Sequence, residues 1–152
     1  MARRIGILLI VLIATVSFLY VAYAQMAEKG WEKTVTLPSG EVILDMSGEW
    51  GVLYENYGPS RLAGSSPDVL TITQDGNTFV AVKQIGSKWV PKGAESIKGA
   101  LDKDGFRTVY VYIWNWSEDN MEWVECKWEI TENGNKIVVY DGRTIQVTLT
   151  RK

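Results

Sequence analysis

Tyr110, Tyr112, Trp114 and Trp116 fall on alternate residues of one stretch, and Trp123 follows shortly after. Alternate spacing places side chains on one face of a β-strand. If residues 106–130 fold back as a hairpin, these five rings form a surface aromatic strip. Aromatic faces recognise rather than react, by stacking on rings, sugars and apolar surfaces. With seven Trp and seven Tyr in the chain, recognition is the chemistry it is best equipped for.

Groups for covalent chemistry are scarce. There is no histidine, which removes the commonest general base and transition-metal ligand, and with it Ser-His-Asp and Cys-His arrangements. Cys126 is the only cysteine, so no intramolecular disulfide forms. Flanked at alternate positions by Val124 and Trp128, it reads as a small buried apolar side chain, with an intermolecular disulfide as the alternative. No phosphate-cradling glycine loop and no calcium-loop spacing of carboxylates is present. A pair of Asp or Glu side chains meeting in space could hydrolyse glycosides, but no spacing points to one. The expectation is a protein that is not an enzyme, with no catalytic residue, no metal and no cofactor.

The element that must carry the strip is a hairpin, Phe106–Trp116 returning through Met121–Ile130. Its arms are rich in residues of high strand propensity. A four-residue loop at Ser117–Asn120 would put Trp116 opposite Met121 and set the register. Val109, Val111 and Ile113 would then face Trp128, Cys126 and Val124 on a core side. The other side would pair Tyr110 with Lys127, Tyr112 with Glu125 and Trp114 with Trp123. A loop one residue longer or shorter would exchange the two sides.

The chain opens with MARRIGILLIVLIATVSFLYVAYA. Arginines, an apolar run and an Ala22-Tyr23-Ala24 ending are the pattern of a signal peptide. The uncharged run 5–24 also approaches the roughly 20 residues that span a bilayer, so an uncleaved membrane anchor is the alternative. Either way, residues 25–152 are expected to be exported, to a periplasmic or extracellular destination, as one domain. The chain has 16 basic and 18 acidic residues, and loss of Arg3 and Arg4 with the leader widens the acid excess. No basic run supplies phosphate contacts, so nucleic acid is not an expected partner. A small hydrophobic molecule, a protein or a second copy of the chain is, and a membrane only through an uncleaved leader.

Residues 25 onward read as strands joined by turns. Trp31–Leu37 and Val42–Met46 flank Pro38-Ser39-Gly40, and Asp75-Gly76, Asp102–Gly105, Glu132–Gly134 and Asp141-Gly142 mark further turns. Segments 57–68 and 86–95 are loops, and only Ser60–Gly64 admits a short helical turn. Gly99 inside a strand marks a bulge or a close backbone approach. Ile72–Asn77 is echoed by Ile130–Asn135, which predicts the same turn solution twice. Lys83, Lys98 and Lys127 read as solvated outer faces. Eight to ten short strands joined mostly by tight turns indicate an antiparallel sandwich or a closed barrel, and nearest-neighbour connections with the edges that closure removes favour an all-β, antiparallel up-and-down β-barrel.

Gly48-Glu49-Trp50 at the start of the first long strand resembles the Gly-x-Trp signature of lipocalins and their calycin relatives. The resemblance implies a barrel-end role for Gly48 and Trp50, with the Trp under an Arg from near the last strand, Arg143 or Arg151. The chain departs from the pattern in lacking a Thr-Asp-Tyr motif and a C-terminal helix. A lipocalin-like barrel either fills itself or holds one ligand. The ligand-holding expectation places Tyr54, Trp89, Val111 and Trp128 in contact with a small apolar or amphipathic molecule, with Leu70, Val82, Cys126 and Val139 as further wall and Trp89 as a lid. The alternative is an interaction module using the aromatic strip, unless residues 25–46 fold over it.

Overall fold

The computed structural model describes residues 30–57, 64–115 and 118–152. The expected leader or anchor, Trp116 and nearly all of the Ser60–Gly64 turn lie outside them. Gly64 itself begins a strand.

Alternating burial makes strands of β1 (Thr34–Thr36), β2 (Val42–Leu44), β3 (Gly48–Asn56), β4 (Gly64–Asp75), β5 (Thr78–Lys83) and β6 (Glu95–Asp102). It continues through β7 (Gly105–Asn115), β8 (Asn120–Glu125), β9 (Lys127–Thr131), β10 (Lys136–Tyr140) and β11 (Ile145–Arg151). β1 and β2 pair with each other. The rest form one antiparallel nine-stranded sheet in the order β8-β7-β6-β5-β4-β3-β11-β10-β9. The fold is therefore all-β, a nearly closed antiparallel barrel with a small hairpin attached.

The sheet's edge strands, β8 and β9, are consecutive in the chain with only Cys126 between them. One bent strand thus pairs with β7 along its first half and with β10 along its second. The Cys126 amide still donates to Val109 O (2.9 Å). Beyond it the seam is filled by a side chain: Trp128 meets Phe106 edge to face at 5.7 Å. Gly105 makes room for that ring, since a Cβ there would lie 2.7 Å from it.

The core lies inside the barrel, with Trp50, Leu70, Ile97, Val111, Ile137 and Leu149 among its fully buried side chains. Turns β4–β5, β6–β7 and β9–β10 share one end, and β1–β2 closes it. Ile43, Leu44 and Met46 are buried there. The cap is tied down by Met46 N donating to Gln74 Oε1 (2.7 Å) and Lys103 N donating to Glu41 Oε1 (2.8 Å). Trp50 Nε1 donates to Met46 O (2.9 Å), and the Arg151 guanidinium lies 4.3 Å from the Trp50 ring. Arg151 also donates to the carbonyls of Ser47 and Asp45. Of the two arginines the resemblance offered, Arg151 takes the place over the ring. Gly48 has φ +116°, a conformation open to glycine.

Several expectations are corrected. The last pairs of the β7–β8 hairpin are Trp114 with Met121 and Asn115 with Asn120. The register therefore moves by two positions from the expected Trp116–Met121 pairing. Two is an even number, so Val109, Val111 and Ile113 still face inward, but Tyr112 rather than Trp114 opposes Trp123. Val82 faces outward and Lys83 inward, because Phe79, Ala81 and Lys83 form the buried side of β5. The echoed turns differ as well. Asp75 pairs with Thr78 across two residues, whereas Thr131 pairs with Lys136 across a 3-10 turn with positive φ at Glu132 and Asn133. Gly99 meets both expectations: its Cβ position lies 2.2 Å from Thr108 O, and a register shift follows at Ala100/Leu101.

Candidate functional site

The connections β3–β4, β5–β6, β7–β8 and β10–β11 leave the barrel at the end opposite the cap. A cleft of about 450 Å³ opens at that end, between the described ends of the strands. Tyr54 of β3, Lys83 of β5, Ile113 of β7 and Ile145 of β11 contribute inner wall, and Trp89, Val90 and Trp114 contribute the rim.

The β5–β6 loop, residues 84–94, holds Trp89 in place through a chain of local bonds. It begins at Asp68 of β4, whose side chain is buried in the wall. Asp68 accepts from Val69 N (2.7 Å), Ile85 N (3.1 Å), Gly86 N (3.1 Å) and Lys83 Nζ (3.0 Å). Burial alone would raise its pKa. The hydrogen bonds from Lys83, Ile85 and Val69, with the Lys83 charge, outweigh that and hold it below the usual value. Gly86 turns the loop at φ +84°, and a Cβ there would lie 2.2 Å from Lys92 N. Ser87 Oγ accepts from Trp89 N and Val90 N at 3.2 and 3.1 Å. Val90 is thereby buried and Trp89 left 41% exposed at the mouth.

Lys83 is only 5% exposed. Besides Asp68, its ammonium group meets the Tyr54 ring face at 4.0 Å. The Tyr54 hydroxyl donates to Ser96 Oγ (3.2 Å). Burial pushes that phenol far above its ordinary pKa, so it stays protonated and a donor. Lys83 and Asp68 are the candidate-site residues the sequence reading missed, having taken the first as solvated and the second as loop. A signal was present. A two-residue turn after Asp75 places Lys83 opposite Leu70, which is observed, and Leu70 was expected to face inward.

Of the four expected ligand contacts, Tyr54 and Trp89 line the cleft. Val111 is wholly buried below it and Trp128 is engaged with Phe106 at the seam. Leu70 and Val139 are likewise buried in the core, and Cys126 is 8% exposed. Tyr110, Tyr112, Trp114 and Trp123 are half-buried on the outer face of β7 and β8. Tyr112 and Trp123 rings lie 5.1 Å apart, with Lys98 Nζ 4.1 Å over Trp123. Trp114 stacks on Trp89 at 4.8 Å. The strip and the mouth, expected to be separate places, thus meet at Trp114.

A second hollow of about 370 Å³ lies where β8 diverges from β10, lined by Glu122, Val124, Glu125, Asp141 and Arg143. Asp141 is occupied there by the turn that follows it, accepting from Arg143 N, Thr144 N and Ile145 N. Among the described residues no group of three or more Cys, Asp or Glu is placed to hold a metal ion. No family model, curated protein or solved structure matches the chain.

Proposed function

We propose that this is an exported, non-enzymatic binding protein with a calycin-like barrel that takes one small amphipathic molecule at its open end. The observation that carries this reading is the asymmetry of the barrel. One end is sealed by β1–β2 and by Trp50 under Arg151, while the other holds a cleft of about 450 Å³. That volume falls in the range of about 300–1,000 Å³ common for ligand pockets. Its lining mixes apolar and aromatic side chains, Trp89, Trp114, Ile113 and Ile145 among them, with polar ones such as Ser65, Ser66, Asn56 and Lys83, as suits an amphipathic molecule. Gly48-x-Trp50 beneath Arg151 supports the calycin-like assignment, and the apolar leader supports export. The test is native mass spectrometry of the protein purified from an exporting host, before and after organic extraction. A co-purifying molecule at one per chain is expected. A barrel that stays empty and binds no amphiphile on challenge would refute the reading.

A second reading, an interaction module built on the aromatic strip, is favoured by one observation. The N-terminal hairpin packs on the closed end, not across Tyr112 and Trp123. Replacing Trp123 with Ala would then abolish capture of a protein, a carbohydrate or a second copy of the chain while leaving small-molecule binding intact.

A further inference from the structure

The charged side chains on the described part of the cleft wall have one sign. Among the described residues lining it they are Lys83 and Lys88, with no Asp or Glu among those residues. This occurs in a chain whose acids outnumber its bases, 18 to 16. The two cations sit differently. Lys88 lies at the rim with its ammonium group 4.4 Å from the Trp89 ring. Lys83 is buried in the inner wall.

Asp68 balances the Lys83 charge without exhausting its hydrogen-bonding capacity. The carboxylate receives three backbone N–H groups of its own, from Val69, Ile85 and Gly86, so its ionised form does not depend on Lys83 alone. Lys83 has three donor hydrogens. One goes to Asp68, and the Tyr54 ring covers a second side. Lys83 lines the cleft, and an acceptor reaching its ammonium group from there would complete its shell. Tyr54 does not compete for that role, because its hydroxyl is engaged with Ser96. A charged acceptor forms the stronger bond with an ammonium group in a dry site. Of the remaining wall, which also holds Asn56, Ser65, Ser66, Ser87 and Thr144, the side chains of Ile113, Ile145, Val90 and Trp89 suit an alkyl or ring body.

Given that the cleft is a ligand site, we propose that it selects anionic amphiphiles, with a carboxylate head at Lys83 Nζ and an apolar body against Ile113, Ile145 and Trp89. Lys88 at the rim adds to the attraction but is not required. Amphiphiles of the same length with neutral or cationic heads fit the apolar wall and forgo the charged bond. Cationic ones also meet Lys83 and Lys88 as like charges.

The experiment is calorimetric titration of the extracted full chain with decanoate, decan-1-ol and decylamine, the ionic ones below their micellar concentrations and the alcohol below its solubility limit. Decanoate is expected to bind about tenfold or more tighter than decan-1-ol, with decylamine weakest, a charged hydrogen bond being the difference. Equal affinity for decanoate and decan-1-ol, or a preference for decylamine, would overturn the charge selection and leave the binding barrel standing. Failure of all three to bind would overturn both. In Lys83→Met the decanoate affinity should fall about tenfold while decan-1-ol stays within about twofold. If that variant does not fold, the paired Lys83→Met and Asp68→Asn change removes the uncompensated carboxylate and reads the same loss. Lys88→Met should keep the preference for decanoate.

Discussion

Burial of an ammonium group is tolerated only with partners. Lys83 has a carboxylate and an aromatic face, and both come from neighbouring inner-wall positions. Asp68 is the more firmly held of the two, and its depressed pKa makes it a contributor to stability with a definite pH window. A carboxylate whose folded pKa lies below its unfolded one stabilises the fold fully above about pH 4. That contribution disappears as pH falls through the lower, folded value. Urea denaturation at about pH 6 and pH 3 should therefore show a smaller drop in midpoint for Asp68→Asn than for the parent protein. An equal drop would mean the acid sensitivity lies elsewhere. Cys126 offers a second check at this scale. Burial, followed by the charges of Asp141 and Glu125, pushes its thiol up to about 11. It should resist alkylation at about pH 8 in the folded protein and react once denatured, since only the thiolate attacks. The sequence announced the burial of Cys126, which sits in a clean apolar alternation. Lys83 was announced only through its register with Leu70, because Phe79–Val82 is apolar at both parities and a terminal lysine reads as solvent-facing.

At the scale of strands, the same ambiguity explains what was legible in β7 and β8. The second arm alternates cleanly, so the hairpin was readable, while the inward face followed only from the assumed four-residue loop. The register was not readable. A four-residue loop can begin at 116 or 117, and apolar residues on both faces of β7 penalise neither choice. Nor does the sequence mark Cys126 as a bend, since Met121–Ile130 reads as one uninterrupted strand. The bend transfers the chain from β7 to β10 and leaves a seam that Trp128 fills beside Gly105. Gly105 is doubly constrained, with φ +132° and no room for a Cβ next to Trp128 and Ile130. Gly105→Ala should cost about 1–3 kcal/mol through backbone strain and overpacking, read as a lower urea midpoint with unchanged slope. A neutral result would mean that the Trp128 ring can move aside and does not fix the seam.

The whole molecule has one capped end and one end with a cleft, and on the proposed reading that asymmetry predicts which substitutions separate stability from binding. At the closed end, Arg151 covers Trp50 and donates to the carbonyls of Ser47 and Asp45, joining the last strand to the link between cap and barrel. Removing it forfeits a partly desolvated cation–π contact and two charge-assisted hydrogen bonds. Arg151→Met should therefore cost about 2–4 kcal/mol. No part of that end reaches the cleft, so amphiphile affinity, measured where the variant is still folded, should be unchanged. At the open end, Trp89 is 41% exposed and is held by backbone bonds to Ser87 rather than by its ring. Its ring touches Trp114 and lines the cleft. Trp89→Ala should then cost about 1 kcal/mol or less of stability, read as a small fall in urea midpoint, and weaken amphiphile binding severalfold. The two variants together form a crossed test, each moving one observable and sparing the other. If Trp89→Ala instead collapses stability while binding persists, the rim is core and the molecule binds elsewhere. The outer strip around Tyr112 and Trp123 would then be the surface left to account for recognition.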